Sequence, residues 1–203
     1  MISFYKETDS IYRLRVPFED LYTSVFLVRA GNDAVLVDCA TTAYDVDEVI
    51  IPALSELGYS LDKLKALVLT HIHGDHAGGL ERILELLPNI EIVADAREIF
   101  EGVSTYPLPG HTLDMIGVLD LRTGTLISGD GLQGAGVGKY RCSVKSEDIY
   151  FETIDRIRND TRITNILFSH AYEPWNEDSV HGRKRINDCL DDCSKYINER
   201  KKK

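Results

Sequence analysis

The sequence predicts an α+β fold in which two mixed β-sheets carry helices on their outer faces. Short segments rich in β-branched and aromatic residues are bounded by turn residues, which is typical of strands. Longer segments have apolar residues at helical spacing and stop at glycine or before proline. The two kinds of segment alternate in two successive halves, strand-rich first and then mixed. Two sheets packed face to face with helices outside is the simplest layered arrangement that buries all the strands.

The first half begins with three consecutive strands that we expect to pair in antiparallel fashion, and a wholly apolar strand follows the first helix. These strands are predicted at 11–16, 22–28, 33–38 and 66–69. The turn residues Gly31, Asn32 and Asp33 separate the second strand from the third. Apolar residues at helical spacing over 45–57 stop at Gly58, which predicts a helix with a glycine C-cap.

In the second half, helices and strands alternate more closely. Helices are predicted at 77–87, near 95–100, at 146–158 and at 177–198. Strands are predicted at 90–94, 104–108, 114–121, 124–128 and 163–168. The helix at 77–87 ends before Pro88, because proline disfavours a helical residue before it.

The length and charge of the chain restrict its organisation and its partners. A chain of 203 residues is a little longer than one typical domain of about 150, so we expect a single domain over residues 1–203. The formal net charge of -10 argues against nucleic acid as the main partner, since binding to the phosphate backbone depends on clustered Lys and Arg. The one basic run, 200–203, is expected to be a solvated end. We therefore expect a small-molecule substrate; the oligomeric state stays open, with a homodimer as one option.

The N-terminal residues lack a basic region followed by an apolar one, and no apolar stretch approaches the roughly 18 residues that span a bilayer. The expectation is a cytoplasmic protein with no membrane partner. The four cysteines, which have no CxxC spacing, are Cys39, Cys142, Cys189 and Cys193. Reduced thiols that pack in the fold are expected rather than a disulfide framework.

Four potential metal ligands fall within six residues after the apolar strand: His71, His73, Asp75 and His76. Alternation along an extended segment turns His71 and His73 to the same side. The chain then turns at Gly74, which brings Asp75 and His76 to the start of the next helix. Neutral imidazole and carboxylate are the ligands expected for zinc and similar divalent metals. This motif predicts a metal site.

Three further residues follow predicted strands in the same way, namely His111, Asp130 and His170. Each alone is weak evidence, because a single histidine after a strand is more often structural. Together with the motif they leave only His181 of the six histidines unassigned. We expect His181 to be a surface residue at the start of the last helix.

The HxHxDH motif, the Gly-His-Thr at 110–112, the Gly-Asp at 129–130 and the final histidine resemble the metallo-β-lactamase-fold superfamily. The likeness extends from about Ser10 to His170. It implies a four-layer αββα sandwich and two metal ions. One ion would be held by His71, His73 and His111, and the other by Asp75, His76 and His170. The resemblance also implies that Asp130 bridges the two ions and that Asp38 supports the metal loop from outside the ligand sphere.

A dinuclear centre, with zinc the expected metal and iron or manganese as alternatives, would lower the pKa of a shared water toward about 7 and supply hydroxide at neutral pH. Asp75 and Asp130 would be catalytic as well as ligating, and Ser128, Ser169 and Cys142 need no covalent role. A bridging aspartate resembles glyoxalase II and the lactonases more than true β-lactamases. The predicted reaction is hydrolysis of a thioester or lactone.

Other reactions within the same resemblance stay open. Persulfide dioxygenases resemble this motif and use a single iron, and flavin-linked di-iron oxygen reductases are also relatives. A β-lactamase and a non-enzymatic binding protein of the same fold are the remaining alternatives.

The substrate pocket is expected to come from loops near the metals. The glycine-rich segment 131–141 follows Asp130 directly and ends in Lys139, Tyr140 and Arg141, which could bind a carboxylate or polarise a carbonyl. A flexible surface loop explains it equally well. Tyr172 could reach the reacting oxygen or could pack as an ordinary aromatic residue.

Overall fold

The computed structural model describes residues 2–31, 33–138 and 143–200. The chain divides into two compact units, one up to Ala94 and one from Asp95 onwards. Each unit contains its own six-stranded sheet.

The sheet of the first unit has its strands in chain order, β1 to β6. They are β1 (Tyr5–Lys6), β2 (Ile11–Phe18), β3 (Leu21–Ala30), β4 (Asp33–Val37), β5 (Leu64–Val68) and β6 (Glu91–Val93). The first four strands pair in antiparallel fashion, whereas β4, β5 and β6 are parallel. The parallel strands β4 and β5 are almost wholly buried, as expected of strands covered by helices.

The helices of the first unit follow β4 and β5. They are α1 (Ala43–Asp45), a π-helical turn (Val46–Ile50), α2 (Ile51–Glu56), a 3-10 turn (Leu61–Lys63), α3 (Gly74–Ala77) and α4 (Leu80–Leu86). Thr42 and Asp45 form a capping box that starts the first run. We attribute the widened π turn to Pro52, which has no amide hydrogen for the helical ladder. Apolar side chains of these helices, including Val46, Ile50 and Ile83, form one core with those of the sheet.

The sheet of the second unit has the order β12-β11-β10-β9-β8-β7. Its strands are β7 (Glu98–Phe100), β8 (Val103–Pro107), β9 (Ile116–Asp120), β10 (Thr125–Ile127), β11 (Asn165–Leu167) and β12 (Ser179–His181). Only the β10–β11 pair is parallel. Two long helices, α5 (Glu147–Asn159) and α6 (Arg183–Arg200), contribute Ile154, Ile157 and Leu190 to the core of this unit.

The expected α+β class is confirmed, since each unit holds a mixed sheet with helices packed on it. Two sequence-based assignments are wrong. The segment expected to be helical near 95–100 contains strand β7, and the helix expected over 177–198 is preceded by strand β12 and begins only at Arg183. The short strand β1 was not predicted. Among the described residues, no helix is both long and apolar enough to cross a membrane.

Candidate metal centre

In the first unit, the HxHxDH motif at 71–76 follows the buried strand β5, which ends at Val68. The Leu69 amide still donates to the Val93 carbonyl of strand β6. Residues 71–73 then continue as an extended segment. His73 then caps α3, whose amides at His76 and Ala77 bond to the His73 carbonyl. The apolar strand therefore delivers two histidines in extended chain and one turn of helix delivers Asp75 and His76.

The side chains of His71 and His73 face each other. Nε2 of His71 lies 2.9 Å from Nδ1 of His73, and the two rings meet edge to face. Two nitrogens on one tetrahedral zinc ion, at bonds of about 2.0–2.1 Å, would be about 3.3 Å apart. The spacing of the pair is thus within a few tenths of an ångström of a shared-ion geometry.

Asp75 and His76 form a second ligand pair. Oδ2 of Asp75 lies 3.3 Å from Nε2 of His76, and Thr23 Oγ1 donates to the same carboxylate oxygen at 3.3 Å. His76 is fully buried and its ring lies against that of His71. An imidazole nitrogen beside a carboxylate oxygen is a usual ligand combination for zinc and related ions.

A buried hydrogen-bond network of Asp38 and Thr70 orients the rings of His71 and His76 through their Nδ1 atoms. Asp38 accepts from the Thr70 amide at 2.8 Å, from Thr70 Oγ1 at 2.9 Å and from His76 Nδ1 at 2.8 Å. Because the Thr70 hydroxyl hydrogen is directed to Asp38, its oxygen accepts from Nδ1 of His71 at 3.1 Å. Both Nδ1 atoms then carry hydrogen, which leaves the Nε2 lone pairs of His71 and His76 directed towards the ligand side.

The backbone that carries Asp38 is strained and tightly packed. Asp38 has φ 62° and Ala40 has φ 59°, and residues other than glycine rarely adopt these backbone angles. A Cβ atom at Gly78 would lie 1.9 Å from the Thr41 carbonyl oxygen, and one at Gly79 would lie 2.3 Å from that of Cys39. Glycine is therefore required at both positions for the motif helix to approach this segment.

In the second unit, each of the three candidate ligands follows the end of a strand. His111 follows β8, Asp130 lies in the 3-10 turn Gly129–Gly131 after β10, and His170 follows β11. Because β10 and β11 are parallel neighbours, their carboxyl ends reach the same sheet edge. The topology of this sheet therefore brings Asp130 and His170 together.

The carboxylate of Asp130 lies between the two histidines. Its Oδ1 atom is 3.2 Å from Nε2 of His170, and its Oδ2 atom is 3.8 Å from Nε2 of His111. Nδ1 of His111 donates to the carbonyl of Ser143 at 2.6 Å, so the Nε2 lone pair of His111 is directed towards the carboxylate. The carboxylate of Asp130 thus has one oxygen near each of two imidazoles.

The donor chemistry of both sets suits a divalent metal. Each set consists of imidazole nitrogens and carboxylate oxygens, and the outer nitrogens of His71, His76 and His111 are held by neighbouring oxygen atoms. These residues fit the metals that the sequence resemblance implied. The same donors accept zinc, iron or manganese, so they do not select one metal.

The predicted substrate-binding residues have different outcomes. Lys139, Tyr140 and Arg141 lie outside the described residues, as does Cys142. Tyr172 is 4% exposed and its Cβ is close to Gly136, which favours the packing alternative. His181 is exposed, as predicted, but its expected position at the start of the last helix is wrong, because it ends strand β12 and its Nδ1 bonds to Asn165.

The loop after Asp130 is held at points that the sequence did not indicate. The Gln133 carbonyl accepts from the thiols of Cys189 and Cys193 on α6 at 3.1 and 3.5 Å. The Ala135 amide donates to Glu177 at 2.6 Å. The three described cysteines, including Cys39, are free and buried, as expected. No sequence pattern could have linked these thiols to the loop, because the contacts are between distant segments.

The chain is similar to known proteins in sequence and in fold. Residues 19–100 match the family profile of the metallo-beta-lactamase superfamily. A hydroxyacylglutathione hydrolase from Vibrio campbellii is 30% identical over 142 residues, which cover 62% of this chain and 55% of that protein. The protein YobT from Bacillus subtilis is 27% identical over 150 residues, which cover 55% of this chain and 62% of that protein. The chain thus spans less than two thirds of the length of these relatives.

A solved structure resembles nearly the whole chain. The metallo-beta-lactamase FIM-1 from Pseudomonas aeruginosa, in its mono-zinc form, matches with a TM-score of 0.75 at 15% identity. The match covers 97% of this chain and 96% of that one. At this identity the likeness shows the fold, which is the one implied by the HxHxDH motif and its downstream residues.

Proposed function

We propose, from the premise that this chain belongs to the metallo-beta-lactamase superfamily, that it is a hydrolase with a dinuclear metal centre that cleaves a thioester or lactone. The observation that carries the proposal is the position of Asp130, with one carboxylate oxygen near His111 and the other near His170. A bridging carboxylate favours the glyoxalase II-like and lactonase-like members over true β-lactamases. The similarity to a hydroxyacylglutathione hydrolase supports a thioester in particular.

The proposed ligand assignment carries the family's motif over to this sequence. One metal would be held by His71, His73 and His111, and the other by Asp75, His76 and His170. Asp130 would be a ligand to both. We propose zinc as the metal, with iron or manganese as alternatives. We also propose, from the chain length of 203 residues, that the chain forms one domain.

Two bound divalent ions would supply a water of lowered pKa and a Lewis acid for the acyl carbonyl. The protein supplies the orientation. Asp38 and Thr70 fix the tautomers of His71 and His76, so that neither ring has to rearrange when a ligand binds. This arrangement requires no serine or cysteine nucleophile.

The carboxylates of Asp75 and Asp130 are the proposed catalytic groups. The side chain of Asp75 is only partly exposed, and its Oδ2 atom accepts from Thr23, which fixes one side of the carboxylate. In the proposed reaction these carboxylates accept hydrogen bonds from the attacking water and hold its oxygen towards the acyl carbon. We also propose that Lys139, Tyr140 and Arg141 bind the substrate, whereas the burial of Tyr172 favours a packing role for that residue.

The test is a substrate panel with the purified, metal-loaded protein. A hydroxyacylglutathione, an acyl-homoserine lactone and a β-lactam are compared for the wild type and for Asp130→Asn. The matched control is Asp191→Asn, which removes an exposed carboxylate that pairs with Arg158. We expect hydrolysis of the thioester or lactone that falls at least a hundredfold in Asp130→Asn and is unchanged in the control. Turnover of the β-lactam alone would contradict the proposal.

Two further properties are proposed on the same basis. The partner is a small-molecule substrate rather than nucleic acid, in keeping with the net charge of -10. The protein resides in the cytoplasm. The oligomeric state stays open, with a homodimer as one option, and light scattering on the eluting protein distinguishes it from a monomer.

A further inference from the structure

A cavity of about 520 Å³ in the first unit has a cationic lining. Its lining residues are Arg29, Gly31, Leu57, Gly58, Tyr59 and Lys63. The volume is within the range of small-molecule sites. No aspartate or glutamate is among these described lining residues, although the whole chain carries a net charge of -10.

The turn after α2 builds one wall of this cavity. Gly58 has φ 73°, and the Gly58 and Tyr59 amides bond back to the carbonyls of Ser55 and Leu54. This is the hydrogen-bond pattern of a helix that ends on a left-handed glycine. It turns the chain back so that Tyr59 lies against Arg29.

Arg29 contacts two tyrosine side chains. Its guanidinium carbon lies 5.0 Å from the ring centre of Tyr59 and 5.5 Å from that of Tyr12. Nε donates to the Tyr59 hydroxyl at 2.5 Å and Nη1 donates to the Tyr12 hydroxyl at 3.1 Å. A guanidinium fixed in this way loses little conformational freedom when it binds an anion.

In the described part of the chain, neither cation of the cavity forms a hydrogen bond to a carboxylate. Among the described residues, the hydrogen-bond acceptors of Arg29 are the two tyrosine hydroxyls, and that of Lys63 is the Gly58 carbonyl at 3.3 Å. Other arginines of the chain bind carboxylates directly, namely Arg82, Arg122, Arg158, Arg162 and Arg185. Arg29 and Lys63 therefore differ from the ordinary ion pairs of this surface.

The tyrosine hydroxyls add neutral donors. Tyr59 is 7% exposed, and its oxygen accepts from Arg29, so its own hydrogen is available to a further acceptor. Arg29 has five N–H groups, of which two are directed to the tyrosines. The remaining N–H groups, the Tyr59 hydroxyl and the Lys63 ammonium are all donors without a competing acid in the lining.

We propose that this cavity binds the phosphate group of a small anion. Two cations and a hydroxyl donor around one cavity match the double charge and the several acceptor oxygens of phosphate better than those of a single carboxylate. The source is either free phosphate or a phosphorylated small molecule, and the cavity volume leaves room for either.

This site is separate from the candidate metal ligands. Thr23, which contacts Asp75, and Arg29 lie six residues apart on β3. At about 3.3 Å per residue the separation along the strand is roughly 20 Å. A phosphate at Arg29 is therefore not part of the proposed hydrolytic site, and its binding does not depend on the proposed reaction.

The test is titration of the full-length protein with inorganic phosphate, AMP and glucose 6-phosphate, followed by calorimetry and by NMR of the Gly31 and Gly58 amides. The variants are Lys63→Gln and Tyr59→Phe, which keep the core intact, and Arg29→Gln. Lys65→Gln is the matched control, because it removes an exposed ammonium two residues from Lys63 that pairs with Asp33. Acetate serves as the monovalent comparison.

We expect saturable phosphate binding that weakens about tenfold in Lys63→Gln and more in Arg29→Gln, with no change in Lys65→Gln. Tighter binding of AMP or glucose 6-phosphate than of phosphate would identify a phosphorylated molecule as the source, and equal binding would identify free phosphate. Acetate binding as strong as that of phosphate would overturn the proposal. So would phosphate binding that Asp130→Asn abolishes and Lys63→Gln and Arg29→Gln leave unchanged, since the anion would then bind at the metals.

Discussion

The Oδ2 atom of Asp38 accepts a hydrogen bond of 2.8 Å from Nδ1 of His76, and neither side chain is exposed. The same carboxylate receives both donors of Thr70, whose hydroxyl in turn accepts from His71. One carboxylate thus fixes the orientation of two candidate ligand rings. The orientation of these two rings therefore depends on a residue that lies outside the HxHxDH motif in sequence.

Replacing Asp38 should weaken metal binding without removing a ligand. In Asp38→Asn, the amide no longer offers a charged acceptor to His76, so we expect metal affinity to fall about 10- to 100-fold. Competition with a chromogenic chelator measures the change. Asp33→Asn, at an exposed position on β4, is the control and should retain wild-type affinity. Unchanged affinity in Asp38→Asn would contradict the orienting role.

Asp130→Asn should have the larger effect on metal content. Its carboxylate has one oxygen near His170 and the other near His111, so the substitution affects both proposed metal sites. We expect a lower metal content per chain than in Asp38→Asn after identical dialysis. Equal metal content in the two variants would count against the bridging assignment.

The sequence alone predicted most of the strands and helices that have strong hydrophobic patterns. Strands β2 to β5 and helix α5 lie close to their predicted bounds, because their apolar spacing and their turn residues agree. The wrong assignments concern segments whose conformation is decided by contacts with residues distant in sequence. Glu98–Phe100 contains helix-compatible residues but pairs with β8, and this pairing decides its conformation.

The last helix shows a second kind of error. Its helical pattern was extended back to 177, but Gly182 has φ 80° and separates β12 from α6. Strand β12 has only three residues, too few for alternation to be detected, and it is defined by its pairing with β11. A three-residue edge strand of this kind is specified by tertiary contacts.

The candidate ligands could be found from sequence because their residue types and their positions after strands are local signals. Their supporting contacts could not. Thr23, Thr70 and Ser143 bind ligand residues through hydrogen bonds that carry no motif. The requirement for Gly78 and Gly79 likewise comes from the close approach of a distant segment.

The ion pair between Asp160 and Arg162 should give a measurable pH dependence of stability. Hydrogen bonding from Arg162 lowers the pKa of Asp160 below its usual value of 3.8. A carboxyl whose folded-state pKa is lowered stabilises the fold above its unfolded pKa, and this contribution is lost as pH falls through the folded pKa. Because Arg162 is 61% exposed, the contribution is about 0.5–1 kcal/mol.

Urea unfolding of the wild type and of Asp160→Asn measures this contribution. We expect the variant to be less stable than the wild type at pH 7 and the difference to shrink towards pH 3. A difference that is the same at both pH values would show that the charge of Asp160 is not responsible.

The pair between Asp120 and Arg122 should matter more for stability. Arg122 donates to both carboxylate oxygens at 2.8 and 2.7 Å, and the side chain of Asp120 is fully buried. Removing the guanidinium leaves a buried charge with fewer donors, so Arg122→Ala should cost about 2–3 kcal/mol. Arg162→Ala is the matched control, because the ion pair of Arg162 with Asp160 is more exposed than that of Arg122 with Asp120. A loss in Arg122→Ala no larger than in Arg162→Ala, measured by urea unfolding, would contradict this reasoning.

The most direct test of the proposed hydrolase is elemental analysis of the purified, untagged protein, with metals counted per chain. We predict about two ions per chain, mainly zinc, or a mixed load of zinc, manganese and iron near that total. A single iron per chain would favour the dioxygenase alternative over hydrolysis. No bound metal, even after reconstitution, would contradict the central claim that these histidines and aspartates form a metal centre.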